Sequence, residues 1–317
     1  MNVAFPTLEE LRAGGKRQLA RVLTRLETQA GDEETAAFLD SICAFQKGHV
    51  LGLTGPPGVG KSSLTDALIK TYRKDGKRVA VLAIDPSSAI TGGALLGDRT
   101  RLKTDPEDDQ VFVRSMAARD RLGGLSDHTV AAIALLRAVC DLVIVETVGI
   151  GQSEGDLKQA VDTVVLCVQP GSGDSLQFMK AGIMELPDIV AVTKADMGAL
   201  ARRAASDVVG ALSLSADGNT WTVPVSEVSA QTGAGVSDLV THAGKHQAYL
   251  AEQGVVELRR RRQHVTWFED MVRRAFGQMG LDLASSDRDN PWLEQAQVRP
   301  FGSFFEFSEK IGQRLSL

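Results

Sequence analysis

From residue 49 onward the chain alternates short apolar, β-branched runs with stretches whose apolar positions recur at helical spacing. The runs are 49–54, 78–84, 110–114, 142–146, 163–168, 188–193 and 222–225. Several are apolar throughout, as strands buried on both faces must be, and their alternation with helices predicts an α/β fold with a mostly parallel sheet. Ligands of such sheets bind outside the carboxyl ends of the strands, so chemistry is expected in the polar patches that follow the runs.

The two ends of the chain read differently. Residues 7–47 predict two helices. Leu8, Leu11, Leu19, Val22, Leu23 and Leu26 recur among Lys16, Arg17, Arg21 and Arg25, and Ala36, Leu39, Ile42, Ala44 and Phe45 follow the acidic start at 32–34. The basic residues read as a solvated face. After 245, four arginines at 259–262 introduce an amphipathic helix carrying Val265, Phe268, Val272, Phe276 and Met279. The tail holds Phe301, Phe304, Phe305 and Phe307 without a clear period and reads as a packing or interface segment. These shifts divide the chain into an N-terminal helical extension (1–48), an α/β domain (49–245) and a C-terminal helical arm with its tail (246–317).

Composition narrows the class. Among 317 residues, 43% are hydrophobic, 24% charged, and the net charge is -5, so nothing in the overall charge calls for nucleic acid as a partner. No apolar run approaches the length of a membrane span, and the N-terminus lacks a signal-peptide pattern. Cys43, Cys140 and Cys167 are odd in number and far apart, and read as small buried hydrophobes. A cytoplasmic protein with no membrane partner is the expectation.

Candidate chemistry begins directly after the first run. Gly55-Pro56-Pro57-Gly58-Val59-Gly60-Lys61-Ser62 satisfies the phosphate-loop pattern G-x-x-x-x-G-K-[ST], with a strand pattern before it and a helical pattern over 64–70 after it, and Ser63 joins these eight as an expected nucleotide-binding residue. The glycines let backbone amides converge on an anion, and the helix N-terminus adds its dipole. Lys61 is expected at the terminal phosphates and Ser62 at Mg²⁺. After the fourth run, Glu146-Thr147-Val148-Gly149 offers a carboxylate for the metal and an amide for the γ-phosphate, followed by a Gly-rich switch candidate at 150–155. After the second run, Asp85 and Asp98 are further candidates for Mg²⁺ or the attacking water. Gln152 and Arg99 are the candidates for assisting hydrolysis, and without an evident arginine finger the expectation is slow turnover alone, raised by a partner.

The sixth run ends in Thr193-Lys194-Ala195-Asp196. A carboxylate at Asp196 accepts from both N1–H and the exocyclic amine of guanine, a donor pair that adenine lacks. Thr193 stands where an asparagine is usual. Lys194 is expected over the base and against the phosphate loop. Ser229-Ala230-Gln231 resembles a segment whose amide, that of Ala230, contacts guanine O6. Residues 171–182, with Asp174, Gln177 and Lys180, read as a third mobile segment.

Together the strings 55–63, 85–88, 96–99, 145–154 and 173–177 resemble the MeaB-like GTPases, also called ArgK or MMAA-type, over roughly residues 10–245. The resemblance implies a P-loop GTPase of the SIMIBI class, using GTP/GDP and Mg²⁺. It also implies a chaperone that gates cofactor loading, protection and reactivation of an adenosylcobalamin-dependent acyl-CoA mutase. Methylmalonyl-, isobutyryl-, ethylmalonyl- and 2-hydroxyisobutyryl-CoA mutases are the clients of that class. A homodimer built through the C-terminal arm around 265–279 is implied as well. Two alternatives stay open. A GTP-dependent metal-insertion chaperone needs a Cys/His site, for which His242 and His246 supply only two ligands at helical spacing. A P-loop kinase needs an acceptor pocket.

Overall fold

The seven apolar runs become one all-parallel sheet. Its strands are β1 (His49–Thr54), β2 (Val79–Pro86), β3 (Val111–Ala118), β4 (Leu142–Glu146), β5 (Thr163–Val168), β6 (Ile189–Val192) and β7 (Val225–Glu227), in the order β3-β2-β4-β1-β5-β6-β7. The structure is a computed structural model, and it describes residues 4–28, 31–45, 47–86, 102, 105, 107–118, 125–147, 157–171, 185–214 and 221–315. The helices are α1 (Leu8–Ala13), α2 (Gly15–Thr28), α3 (Glu33–Cys43), α4 (Lys61–Lys74), α5 (Asp127–Val139), α6 (Ala199–Leu214), α7 (Val236–Glu252), α8 (Val256–Ser286), α9 (Trp292–Ala296) and α10 (Pro300–Leu315). The predicted mostly parallel α/β fold is what forms.

β1 is central, with Leu51 paired to Ile144 of β4 on one side and Thr163 of β5 on the other. Connections leave β1 toward β2 and leave β5 toward β6, so the chain reverses its direction of travel beside β1. That reversal is where open α/β sheets leave a crevice at the strand ends. One sheet face packs Leu51, Leu53, Val81, Ile144, Val165 and Ile189 against Leu64 and Leu68 of α4 and Leu239 of α7. Each such buried aliphatic side chain contributes about 2 kcal/mol of transfer free energy. On another cluster Leu166 and Val190 meet Val208 of α6. The long apolar burial fixes where each strand ends and so aims the loops.

By internal contacts the chain divides into two units. His49–Ser126 with Cys140–Ala251 carries the sheet, and Met1–Gly48, Asp127–Val139 and Glu252–Leu317 make a helical unit. Three helices occupy the span where two were predicted, because Gly14 ends α1 and Gly15 takes φ +62, a left-handed conformation that a longer side chain resists. A capping box between Thr7 and Glu10 starts α1. The arm helix extends beyond 265–279 to 31 residues, and Gly277 (φ 68, ψ −164) breaks its helical geometry.

The tail corrects the expectation of an aperiodic segment. Phe301, Phe304, Phe307 and Ile311 stand three, three and four apart, which is one face of α10. Phe307 meets the rings of Phe268, Phe276 and Trp292 edge-on at centroid separations of 5.6–6.2 Å. Asp40 of α3 accepts the amides of Phe301 and Gly302 at 3.1 and 2.9 Å, so a carboxylate from elsewhere in the unit caps α10. Among the described residues no helix is long and apolar enough to cross a membrane.

Candidate functional site

The loop 55–60 leaves β1 and enters α4. Gly55 has φ +144, and a Cβ there would collide with the Cys167 carbonyl of β5, so only glycine lets the loop start so close to the neighbouring strand. Gly60 sits in the left-handed region at the N-cap of α4 and turns the chain into the helix. Between them Pro56 and Pro57 carry the loop outward, Gly58 takes φ +75, and Val59 is fully buried beneath it. Lys61 opens α4 with its side chain 6% exposed. Its ammonium donates to the Gly55 and Pro56 carbonyls at 2.7 and 3.2 Å, which holds the positive charge inside the loop's curve.

β4 brings its last residue to the same place. Glu146, 6% exposed, accepts from Ser62 Oγ at 2.6 Å and from Thr65 Oγ1 at 2.9 Å, so both carboxylate oxygens are held by α4 hydroxyls. Thr147 follows, with its hydroxyl 3.3 Å from the Leu53 carbonyl and from Thr54 Oγ1. A buried carboxylate beside a hydroxyl at a helix start is a hard oxygen donor set, the kind that suits Mg²⁺ and suits softer metals poorly.

The segments after β6 and β7 close the other side. Thr193 Oγ1 donates to the Val59 carbonyl at 2.7 Å, with the Val168 carbonyl at 3.1 Å. Lys194 has φ +55, an uncommon conformation for a non-glycine residue. Its ammonium reaches Gly58 O at 3.1 Å and Gln169 Oε1 at 2.6 Å. Asp196 lies in a single 3₁₀ turn, and one of its oxygens accepts from Ser229 Oγ at 2.7 Å. Ser229 is fully buried, while Ala230 and Gln231 reach the surface of a cavity of about 580 Å³. Gly60, Ser63, Lys194, Asp196 and Met197 line the same cavity, a volume within the range of small-molecule sites. The helix-start and base-reading candidates therefore face one space.

Not every candidate falls in the described region. Asp98, Gly149, Gln152, Arg99 and the segment 150–155 lie outside the described residues, as do Asp174, Gln177 and Lys180. Asp85 is in β2 with its backbone in register with Ala117, but its side chain also lies outside them. Among the described residues, Thr65, Gln169, Met197, Asp66 and Lys70 stand at or beside these candidates, and the sequence reading gave none of them a site role. Thr65 stands one turn from Ser62 on α4 and Gln169 directly follows β5, and those placements were the available signals.

The histidine pair does not share a site. His242 Nδ1 lies 2.8 Å from Ser226 Oγ, and His246 Nδ1 lies 2.7 Å from Thr163 Oγ1. Among the described residues no group of three or more His, Cys, Asp or Glu is placed to hold a metal ion. All three cysteines are buried, and burial pushes each thiol up to about 12, far from thiolate chemistry at neutral pH.

Comparison with known proteins supplies a family. The family model described as methylmalonyl-CoA mutase-associated GTPase MeaB matches residues 19–280. A Pyrococcus horikoshii protein named provisionally as a GTPase is 42% identical over 263 residues, covering 80% of this chain and 81% of that one. The mouse mitochondrial methylmalonic aciduria type A homolog is 34% identical over 270 residues, which is 84% of this chain and 64% of the mouse protein. Among solved structures, a LAO/AO transport system kinase superposes with a TM-score of 0.69 at 25% identity, covering 96% of both chains. The nickel complex of HypB from Helicobacter pylori, at 16% identity and a TM-score of 0.51 over 68% of this chain and 94% of its own, shares the fold. Matched by that family model over most of its length, this chain belongs to the MeaB family of mutase-associated GTPases.

Proposed function

We propose that the chain binds GTP, hydrolyses it to GDP and phosphate, and works as a chaperone of an adenosylcobalamin-dependent acyl-CoA mutase. The observation that carries the nucleotide half is the cavity of about 580 Å³ shared by Gly60 and Ser63 on one side and Lys194, Asp196 and Ala230 on the other. Asp196, oriented by Ser229, accepts the two edge donors of guanine. The Ala230 amide meets O6, and Lys194 covers the base. The 55–60 amides and Lys61 hold the phosphates and offset charge that develops during transfer. Ser62 and Glu146 would hold Mg²⁺, with Asp85 and Asp98 as the further acidic groups, and the Gly149 amide would meet the γ-phosphate. The ion supplies charge neutralisation at the phosphate oxygens.

The chaperone half rests on the family and on the mouse relative, whose name concerns methylmalonic aciduria. Turnover is slow alone and rises with the client, and the protein is a cytoplasmic homodimer joined through α8. Retention of a mutase from native extract on this chain, in the presence of a non-hydrolysable GTP analogue and not of GDP, tests the assignment. No acceleration of hydrolysis by any of the four acyl-CoA mutases would overturn it.

A kinase reading is favoured only by the name of the LAO/AO transport system kinase. γ-Labelled GTP separates the two, since a kinase delivers the label to an acceptor and a GTPase to inorganic phosphate.

A further inference from the structure

We propose that Thr65 is a positioning residue of the metal site, holding the Glu146 carboxylate from the side that Ser62 does not reach. The inference rests on the reading of Glu146 as a metal-site carboxylate given above. Thr65 is fully buried, lies three residues beyond Ser62 on α4, and donates from Oγ1 to Glu146 Oε2 at 2.9 Å, while Ser62 takes Oε1 at 2.6 Å. Residues three apart share a helix face, so the two hydroxyls form a clasp across which the carboxylate lies.

Four other helical threonines behave differently. Thr71 on the same helix donates to the Ala67 carbonyl at 2.9 Å, and Thr24, Thr28 and Thr241 likewise turn back on the carbonyl four residues earlier. That local bond is the usual resting place of a helical hydroxyl. Thr65 sends its bond to β4 instead, to a charged acceptor, where a hydrogen bond is stronger than between neutral groups.

The clasp also accounts for glutamate at this position. With one methylene more than aspartate, Glu146 reaches back from the end of β4 to both α4 hydroxyls. A carboxylate gripped by one hydroxyl still turns about its last bond. Gripped by two, it has its plane set, and with it the direction of the lone pairs left for an ion or for the ion's water. When Ser62 oxygen serves as a ligand, Thr65 keeps hold of the other carboxylate oxygen. The role is orientation, and Thr65 itself touches neither ion nor phosphate.

The test follows release of a fluorescent GDP analogue from the full chain as free Mg²⁺ is varied, for wild type, Thr65→Val, Thr65→Ser and Glu146→Gln. Removing a bond to a buried charged group predicts that Thr65→Val needs about tenfold more Mg²⁺ to reach half-maximal retention. Thr65→Ser, which keeps the hydroxyl, restores the wild-type requirement, and release in EDTA is the same for all the Thr65 variants. If Thr65→Val does not fold, Thr65→Ala compared with Thr65→Ser makes the same comparison. A normal Mg²⁺ requirement in Thr65→Val alongside a shifted one in Glu146→Gln overturns the positioning role and leaves Glu146 in the metal site. No shift in Glu146→Gln overturns the metal reading of Glu146. Equal weakening with Mg²⁺ and in EDTA makes Thr65 a packing residue and ends the proposal.

Discussion

The Thr193 hydroxyl donates to the Val59 carbonyl at 2.7 Å, tying the segment after β6 to the underside of the phosphate loop. Lys194 adds a second tie, to Gly58 O. Two neighbouring residues therefore couple the base-reading candidates to the phosphate candidates, although Thr193 lacks the amide usual at its position. Thr193 is 4% exposed, so its replacement by valine leaves the Val59 carbonyl buried without this donor. An unmet buried acceptor costs about 1–3 kcal/mol. Thr193→Val should weaken GTP and GDP together by about tenfold or more, read by fluorescent-nucleotide titration, while Thr193→Ser retains binding. A selective loss of GTP alone would contradict a tie that acts through the loop.

Under the proposed function Asp196 carries the base choice. Its carboxylate presents two acceptors, the match for guanine N1–H and the 2-amino group, and Ser229 holds it at 2.7 Å. Asparagine presents one donor and one acceptor, which match xanthine, whose position 2 is a carbonyl. Asp196→Asn should lose GTP by about a hundredfold or more and gain XTP, because a site built for a polar edge rejects the mismatched one strongly. Competition of XTP against labelled GTP measures it. Unchanged preference would remove Asp196 from the base site.

These two residues also mark how far the sequence could be read. The parallel sheet was legible because its strands are apolar on both faces, and β1, β4 and β5 begin and end where the pattern places them. The phosphate loop was legible because its residues are adjacent in the chain. That Thr193 meets Val59, that Thr65 meets Glu146, and that Gln169 meets Lys194 were not, since those pairs are 134, 81 and 25 residues apart and the register of β1 with β4 and β5, and of β5 with β6, brings them together. The helical tail was hidden for another reason. Phe305 interrupts the stripe formed by Phe301, Phe304, Phe307 and Ile311, and one extra apolar residue is enough to blur a short period.

The arm helix exposes apolar side chains near its end. On α8, Met279 is 73% and Leu283 39% exposed, just beyond the break at Gly277, whereas Phe268 and Val272 earlier on the helix are fully buried within their own unit. If the homodimer forms through this arm, Met279→Glu places a charge on a face that must desolvate, and the dimer dissociation constant should rise about tenfold or more. Sedimentation velocity across a concentration series reads the change, with circular dichroism confirming that the helix content is kept. A dimer indifferent to Met279→Glu and to Leu283→Glu is built elsewhere.

Asp40 gives the helical unit a dependence on pH. Burial pushes its carboxyl up to about 6 from an ordinary 3.8, against the pull of the Gly302 and Phe301 amides and of Arg299, with Glu306 adding to the rise. A raised carboxyl means that the folded chain binds the proton more tightly than the unfolded one. Between about pH 4 and 6 stability therefore falls as pH rises, by up to about 1.4 kcal/mol per unit, and the group's contribution is flat below and above that window. Accumulated across the window, this is about 3 kcal/mol at most. Asp40→Asn keeps the shape and removes the titration, and the remaining ionisable groups are common to both proteins. The difference in unfolding free energy, wild type minus variant, should grow in favour of the wild type as pH is lowered from 7 to 5. Urea unfolding at each pH gives that difference directly, and a constant difference across the range would mean that Asp40 titrates at its ordinary value and that the α10 cap is open to water.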